Sequence, residues 1–146
     1  MSNCTLCQTT GDQLLWENDL FRIIDAQDPQ YPGFTRVIWN AHVAEMTDLL
    51  PADQLMLMQN VLKIEMIQRD ILQPDKINLA AFGNMVPHLH WHIIPRWRDD
   101  AHFPQPVWAA RPHADDYALA RQALRLEAIQ ARIPAYHAAI RSKMPS

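Results

Sequence analysis

The spacing of hydrophobic and polar positions changes along the chain, and each change marks an element. Leu14-Leu15-Trp16 and Phe21-Arg22-Ile23-Ile24 are short β-prone runs separated by the turn signal Glu17-Asn18-Asp19, a pattern that predicts a hairpin. Asp28-Pro29-Gln30-Tyr31-Pro32-Gly33 is a loop by composition, and Thr35 to Trp39, rich in β-branched and aromatic residues, is a third strand. The pattern then turns helical. Pro51 suits a first helical position, and Leu55, Met58, Leu62, Met66 and Arg69 recur at helical spacing until Pro74 stops the run. This predicts a helix from about Pro51 to Leu72. Its methionines, with Met46 just before it, are read as core packing rather than as ligands.

Strand-like segments return at Ile77 to Phe82 and His88 to Ile94, joined by a short Gly83 to Pro87 connection suited to an antiparallel pair. A polar, proline-punctuated stretch follows Arg96 and ends at Pro112. The next helix should run from about Asp115 to Arg132, with Asp115 and Asp116 favouring its N-terminus and Pro134 ending it. Together these elements predict an α+β fold: an antiparallel sheet of about five strands, one long helix and a C-terminal helix. The length of 146 residues is that of one ordinary domain, so residues 1–146 are read as a single unit with its core at 4–108 and a helical extension at 113–146.

Composition narrows the function classes. A formal net charge of −3 gives no basic surplus of the kind that duplex-binding proteins use, so any nucleotide partner is a small molecule and not a polymer. No apolar run approaches the roughly 20 residues that span a bilayer. Met1-Ser2-Asn3-Cys4 lacks the basic-then-apolar pattern of a signal peptide, and the expected location is the cytoplasm. Glycine occurs only as Gly11, Gly33 and Gly83, which removes both the P-loop and the GxGxxG fingerprint. Phosphates, if bound, are therefore held mostly by side chains and a strand. The two cysteines, Cys4 and Cys7, stand too close in sequence for a disulfide framework, and in a reducing compartment CxxC points to metal or redox use.

The chemistry concentrates in His88-Leu89-His90-Trp91-His92. On a strand, alternate side chains share a face, which would set three imidazoles about 6.5–7 Å apart in succession. A neutral imidazole is a good nucleophile toward phosphorus, provided one ring nitrogen is free and the other keeps its proton pinned by an acceptor. The middle residue, His90, is the natural nucleophile, with a donor on either side to hold phosphate and developing charge. The same spacing also suits a metal site made from two or three of these residues.

The run His88-Leu89-His90-Trp91-His92-Ile93-Ile94 resembles the His-φ-His-φ-His-φ-φ signature of the histidine-triad (HIT) superfamily of nucleotide hydrolases and transferases. The resemblance extends from about Cys4 to Trp108 through Asp25, Pro32-Gly33, His42, Asn78, Asn84 and Pro95-Arg96, and is similar to small bacterial diadenosine-polyphosphate hydrolases. It implies that His90 attacks the α-phosphorus to form a nucleotidyl-histidine. By the same likeness His92 contacts the phosphate and helps the leaving group, and His88 is structural or a metal ligand. Asp25 falls where the family contacts ribose hydroxyls, and Asn78 and Asn84 where it places amides near phosphate. The likeness also implies a structural zinc on Cys4, Cys7, His42 and His88, and a homodimer.

An apolar base pocket is expected around the first strands, with Phe21 or Ile23 in it, and Trp108 is a candidate for stacking on the base or packing on the sheet. His102, His113 and His137 are expected at the surface. Met85 stands where many family members carry Ser or Thr, so the leaving group is left open. The expected activity is hydrolysis of dinucleoside polyphosphates or nucleoside phosphoramidates; a nucleotidyl transferase or phosphorylase, or a non-catalytic nucleotide-binding module, are the alternatives.

Overall fold

A computed structural model of the chain describes residues 3–8 and 13–145; Met1, Ser2 and Gly11 lie outside these. Five antiparallel strands form one sheet: β1 (Gln13–Glu17), β2 (Phe21–Asp25), β3 (Thr35–Trp39), β4 (Lys76–Ala80) and β5 (His90–Arg96). Their order across the sheet is β1-β2-β3-β5-β4. The long helix α1 (Pro51–Ile71) connects β3 to β4, and two shorter helices follow the sheet, α2 (Asp116–Gln130) and α3 (Ile133–Lys143). This is the expected α+β architecture. None of the helices among the described residues is long and apolar enough to cross a membrane.

Strand alternation divides the sheet into two faces. Phe21, Ile23, Val37, Trp39 and Ile93 point to the helices and join Leu57, Val61, Ile64, Ile67, Tyr136 and Ile140 in the main core. The expected base-pocket residues Phe21 and Ile23 are therefore core residues, both with no exposed surface. The other face carries the intervening side chains, among them Arg22, Arg36, His90, His92 and Ile94. Cross-strand register aligns Ile24 with Arg36 and Arg36 with His92.

The helix α1 has the expected limits but turns the other way. Its buried stripe is Leu57, Asn60, Val61, Ile64, Ile67 and Gln68. The spaced set Leu55, Leu62 and Met66 is 67%, 43% and 62% exposed, so Met66 is not core. Two apolar stripes a residue apart read alike by period, and only packing on the sheet selects between them.

The C-terminal region also departs from expectation. The chain breaks at Ala131 and Arg132, and Pro134 sits in the first turn of α3 rather than ending a helix. Proline is tolerated there because a first-turn N–H has no intrahelical acceptor to lose. Asp115 caps α2 by accepting the Ala118 N–H at 2.8 Å. The helix α3 is fastened through polar bonds: the Tyr136 hydroxyl lies 2.6 Å from Thr35 Oγ1, and the Gln68 amide donates to the Gly33 carbonyl, the Ile93 carbonyl and the Tyr136 hydroxyl. Gly33 itself has φ +88, a conformation that L side chains rarely adopt, which favours glycine there.

Candidate active site

The strand β5 begins at His90, two residues later than the alternation predicts. The segment before it is tied to other backbone. The His88 N–H donates to the Val86 carbonyl, the Leu89 N–H to the Val43 carbonyl, and the Trp39 N–H to the Leu89 carbonyl. His88 is therefore fully buried beside the β3 exit, and only His90 and His92 share the strand face.

Those two rings lie with centroids 4.8 Å apart. His90 Nδ1 is 2.6 Å from the His88 carbonyl oxygen. A carbonyl can only accept, so Nδ1 carries the proton and Nε2 keeps its lone pair. Burial pushes the His90 imidazole below its ordinary value; the His88 carbonyl opposes this, and the Arg36 cation adds to it. His92 is pushed further, to about 3, by burial, by His90 and by Arg36. Its Nδ1 is buried without a hydrogen-bond partner. Both rings are neutral at pH 7.

A cavity of about 350 Å³ opens over them, lined by Phe82, Gly83, Asn84, Met85, Val86, His90, His92 and Trp108. Trp108 stands edge-on to His92 and to Phe82, with centroids at 5.0 and 4.8 Å, and is half exposed. It thus walls the cavity and packs at once. Met85, 94% exposed, brings no hydroxyl to the rim.

The other expected residues divide. Asn84 is exposed on the cavity lining with His90 and His92. Asn78 is not free: its Oδ1 accepts from Arg96 Nη1 at 2.8 Å, within a buried network that also binds Asp100 and the Gln105 carbonyl. Asp25 corrects the ribose expectation. It ends β2 in phase with Phe21 and Ile23, on the helix-covered face, and pairs with His137 Nε2 at 2.9 Å. His137 is buried rather than at the surface, and His102 is partly buried with Nδ1 2.6 Å from the Tyr31 hydroxyl. His113 is exposed as expected.

Cys4, Cys7, His42 and His88 converge. Their ligand atoms all lie within 4.8 Å of one another. Cys4 Sγ and Cys7 Sγ are each 3.5 Å from His88 Nδ1, Cys7 Sγ is 3.3 Å from His42 Nδ1, and the two Nδ1 atoms are 3.2 Å apart. With Zn–S near 2.3 Å and Zn–N near 2.0–2.1 Å, a tetrahedral site has edges of roughly 3.3–3.8 Å, which these separations approach. His88 Nε2 lies 2.6 Å from the Trp39 carbonyl, so that nitrogen holds the proton and Nδ1 is left as a ligand. The donor set therefore fits zinc.

Sequence reasoning missed Arg36 and Phe82. A lone arginine on a strand and a phenylalanine after one carry no motif; cross-strand register and the fold of the 81–89 connection bring them beside His92.

Comparison with known proteins agrees with this geometry. The HIT domain profile matches residues 8–99. The AP-4-A phosphorylase of Mycobacterium tuberculosis (strain ATCC 25618 / H37Rv) is 31% identical over 81 residues, covering 51% of this chain and 42% of that protein. The asymmetrical bis(5'-nucleosyl)-tetraphosphatase of Schizosaccharomyces pombe is 28% identical over 95 residues, covering 62% and 52%. The chain thus spans about half the length of the curated relatives it matches. Among solved structures, a histidine triad protein from Bradyrhizobium japonicum superposes with a TM-score of 0.64 at 30% identity, over 84% of this chain and 90% of that one.

Proposed function

This chain belongs to the HIT domain family, and on that premise we propose that it cleaves nucleoside phosphate derivatives through a covalent nucleotidyl intermediate on His90. The substrates are dinucleoside polyphosphates or nucleoside phosphoramidates. The observation that carries this reading is the His90 Nδ1–H bond to the His88 carbonyl, which aims a neutral, unprotonated Nε2 into the cavity.

His90 Nε2 attacks the α-phosphorus. A P–N bond forms, and the bond from phosphorus to the leaving group breaks, its electron pair departing with that group, which then takes a proton. Water attacks the same phosphorus, the P–N bond breaks, and the second water proton passes to solvent. His92, neutral and 4.8 Å from the His90 ring, donates to a phosphoryl oxygen, and Asn84 contacts the phosphate from the rim. Asp25 and Asn78 are bonded to His137 and Arg96.

The 31% identity to an AP-4-A phosphorylase favours a second reading, in which inorganic phosphate replaces water as the acceptor. One experiment tests both. Protein mixed with diadenosine tetraphosphate is followed by intact mass and product analysis, with and without phosphate. A nucleotidyl adduct absent from His90→Ala supports the mechanism; nucleoside diphosphate made only with phosphate identifies the phosphorylase. No adduct and no turnover with any dinucleotide or phosphoramidate would falsify the catalytic reading.

The remaining assignments follow the same premise. Cys4, Cys7, His42 and His88 would hold a structural zinc that ties the N-terminal segment to the triad, and four protein ligands leave it no open position. The exposed α1 stripe supports a homodimer. The whole of residues 1–146 is one HIT domain with its helical extension at 113–146. A net charge of −3 supports a small nucleotide partner over a nucleic acid polymer, and the need for two reduced cysteines as ligands supports a cytoplasmic location.

A further inference from the structure

Three arginines rise from the sheet face that carries His90 and His92: Arg22 on β2, Arg36 on β3 and Arg96 on β5. Two of them are committed. Arg22 is sealed at 3% exposure and donates through Nη2 to the Leu6 carbonyl at 2.6 Å. Arg96, at 2%, is held by Asp100, Asn78 and the Gln105 carbonyl.

Arg36 is different. Among the described residues it has no hydrogen bond and no ion pair. Its guanidinium lies over the Phe34 ring at 5.5 Å, and its Nε, like that of Arg22, is buried without an acceptor among the described residues. The neighbouring strand positions are Ile24 on one side and His92 on the other. Phe34 in turn packs edge-on against His92 and Trp108, at 5.6 and 6.4 Å, so the stack runs directly into the cavity wall.

A half-buried guanidinium without an anion is an unfinished arrangement. Desolvation is costly for a charge, and five N–H donors on a planar fork call for a matching acceptor. Stacking on Phe34 holds the plane but leaves the donors unused. From this arrangement we propose that Arg36 binds the substrate phosphate, with its fork engaging unesterified phosphoryl oxygens beside His92. The proposal rests on the reading of His90 and His92 as a phosphoryl-transfer site. It also supplies what that site otherwise lacks, a cation not already engaged, since Arg22 and Arg96 are bound elsewhere. A Glu or Asp partner would have made Arg36 structural; the acid at the end of β2, Asp25, points to the opposite face.

The test compares the full chain with Arg36→Gln and Arg36→Lys, titrated with sodium tripolyphosphate and with adenosine. Arg36→Gln should weaken tripolyphosphate binding by about tenfold or more while leaving adenosine binding unchanged, as expected for loss of a charge-assisted contact. Arg36→Lys should recover part of the loss, since it keeps the charge without the fork. In turnover of diadenosine tetraphosphate the Gln variant should raise KM. Wild-type tripolyphosphate affinity in the Gln variant, no binding by the unaltered protein, or equal losses for adenosine and tripolyphosphate would overturn the assignment. Turnover indifferent to Arg36→Gln would refute it while leaving the His90 mechanism standing. Arg36-dependent tripolyphosphate binding without any turnover would do the reverse. If the Gln variant fails to fold, the Lys variant alone decides: wild-type affinity and wild-type KM for both phosphate probes, at raised ionic strength as well as low, would show that the fork makes no contact.

Discussion

His88 holds His90 through its backbone. The His88 carbonyl accepts the His90 Nδ1–H at 2.6 Å, while the His88 ring is itself fixed by its Nε2–H bond to the Trp39 carbonyl, also at 2.6 Å. The first triad histidine thus faces the cysteines with one nitrogen and orients the nucleophile with its main chain. The proposed zinc ligands and the proposed nucleophile meet at a single residue.

That relationship predicts a linked response to metal removal. Protein purified without added metal should carry about one zinc per chain by elemental analysis; less than a few tenths of an equivalent would defeat the site. Cys7→Ser should lower zinc content and reduce the melting temperature by about 5 °C or more. It should also slow formation of the His90 adduct, because the His88 carbonyl loses its anchor. Normal adduct formation in a zinc-free variant would separate the two sites.

The second expectation concerns protonation at His92. Burial, then the neighbouring His90 and Arg36, bring its imidazole down to about 3. An imidazole is neutral at pH values well above its folded value. The His92 ring proton resonances should therefore not titrate between pH 5 and 8. A midpoint near 6.5 in that range would mean the site is wetter than its packing against Phe34, Phe82 and Trp108 indicates.

Much of this fold is legible in the sequence alone, and the departures from it share a physical cause. Strand and helix periods located β1 to β5 and α1 because local alternation is a local property. The CxxC and the family resemblance together pointed to the four groups that converge, Cys4, Cys7, His42 and His88. What periodicity could not supply was the choice between faces. Leu55, Leu62 and Met66 repeat as well as Leu57, Val61 and Ile64 do, yet only the second set meets the sheet. Asp25 sits one residue past Ile24, and that single step moves it to the helix side. His88 fell out of the strand because backbone bonds to Val43 and Val86, distant or turn-specific, override alternation. Arg36 carried no motif at all.

The exposed stripe on α1 makes a third prediction. Leu55, Leu62 and Met66 lie on a face that stays largely exposed among the described residues, and Leu79 on the edge strand β4 is 37% exposed. Apolar surface of this kind marks a protein interface. Sedimentation at micromolar concentration should give a dimer, and Leu62→Glu should shift it to monomer without lowering the melting temperature of the monomer. A monomeric wild-type protein sinks the dimer reading.

The Asp25–His137 pair makes the fourth, and its sign can be worked out. Burial raises the Asp25 carboxyl, but hydrogen bonds from His137 and from the Gln27 N–H outweigh that, and the net position is below the ordinary 3.8. A carboxylate lowered on folding stabilises the fold fully at neutral pH, and its contribution is lost as pH falls from about 4 through the folded value. Asp25→Asn preserves shape and removes the charge. At pH 7 it should lower the unfolding free energy by about 1–2 kcal/mol, measured by urea denaturation, because His137 on α3 loses a charged acceptor. At acid pH, once the wild-type carboxyl is protonated as well, the two proteins should converge. An equal deficit at both values would assign the effect to packing of α3 and not to charge. Little effect at pH 7 would show that α3 is held by Tyr136, through Thr35 and Gln68, without help from the Asp25–His137 bond.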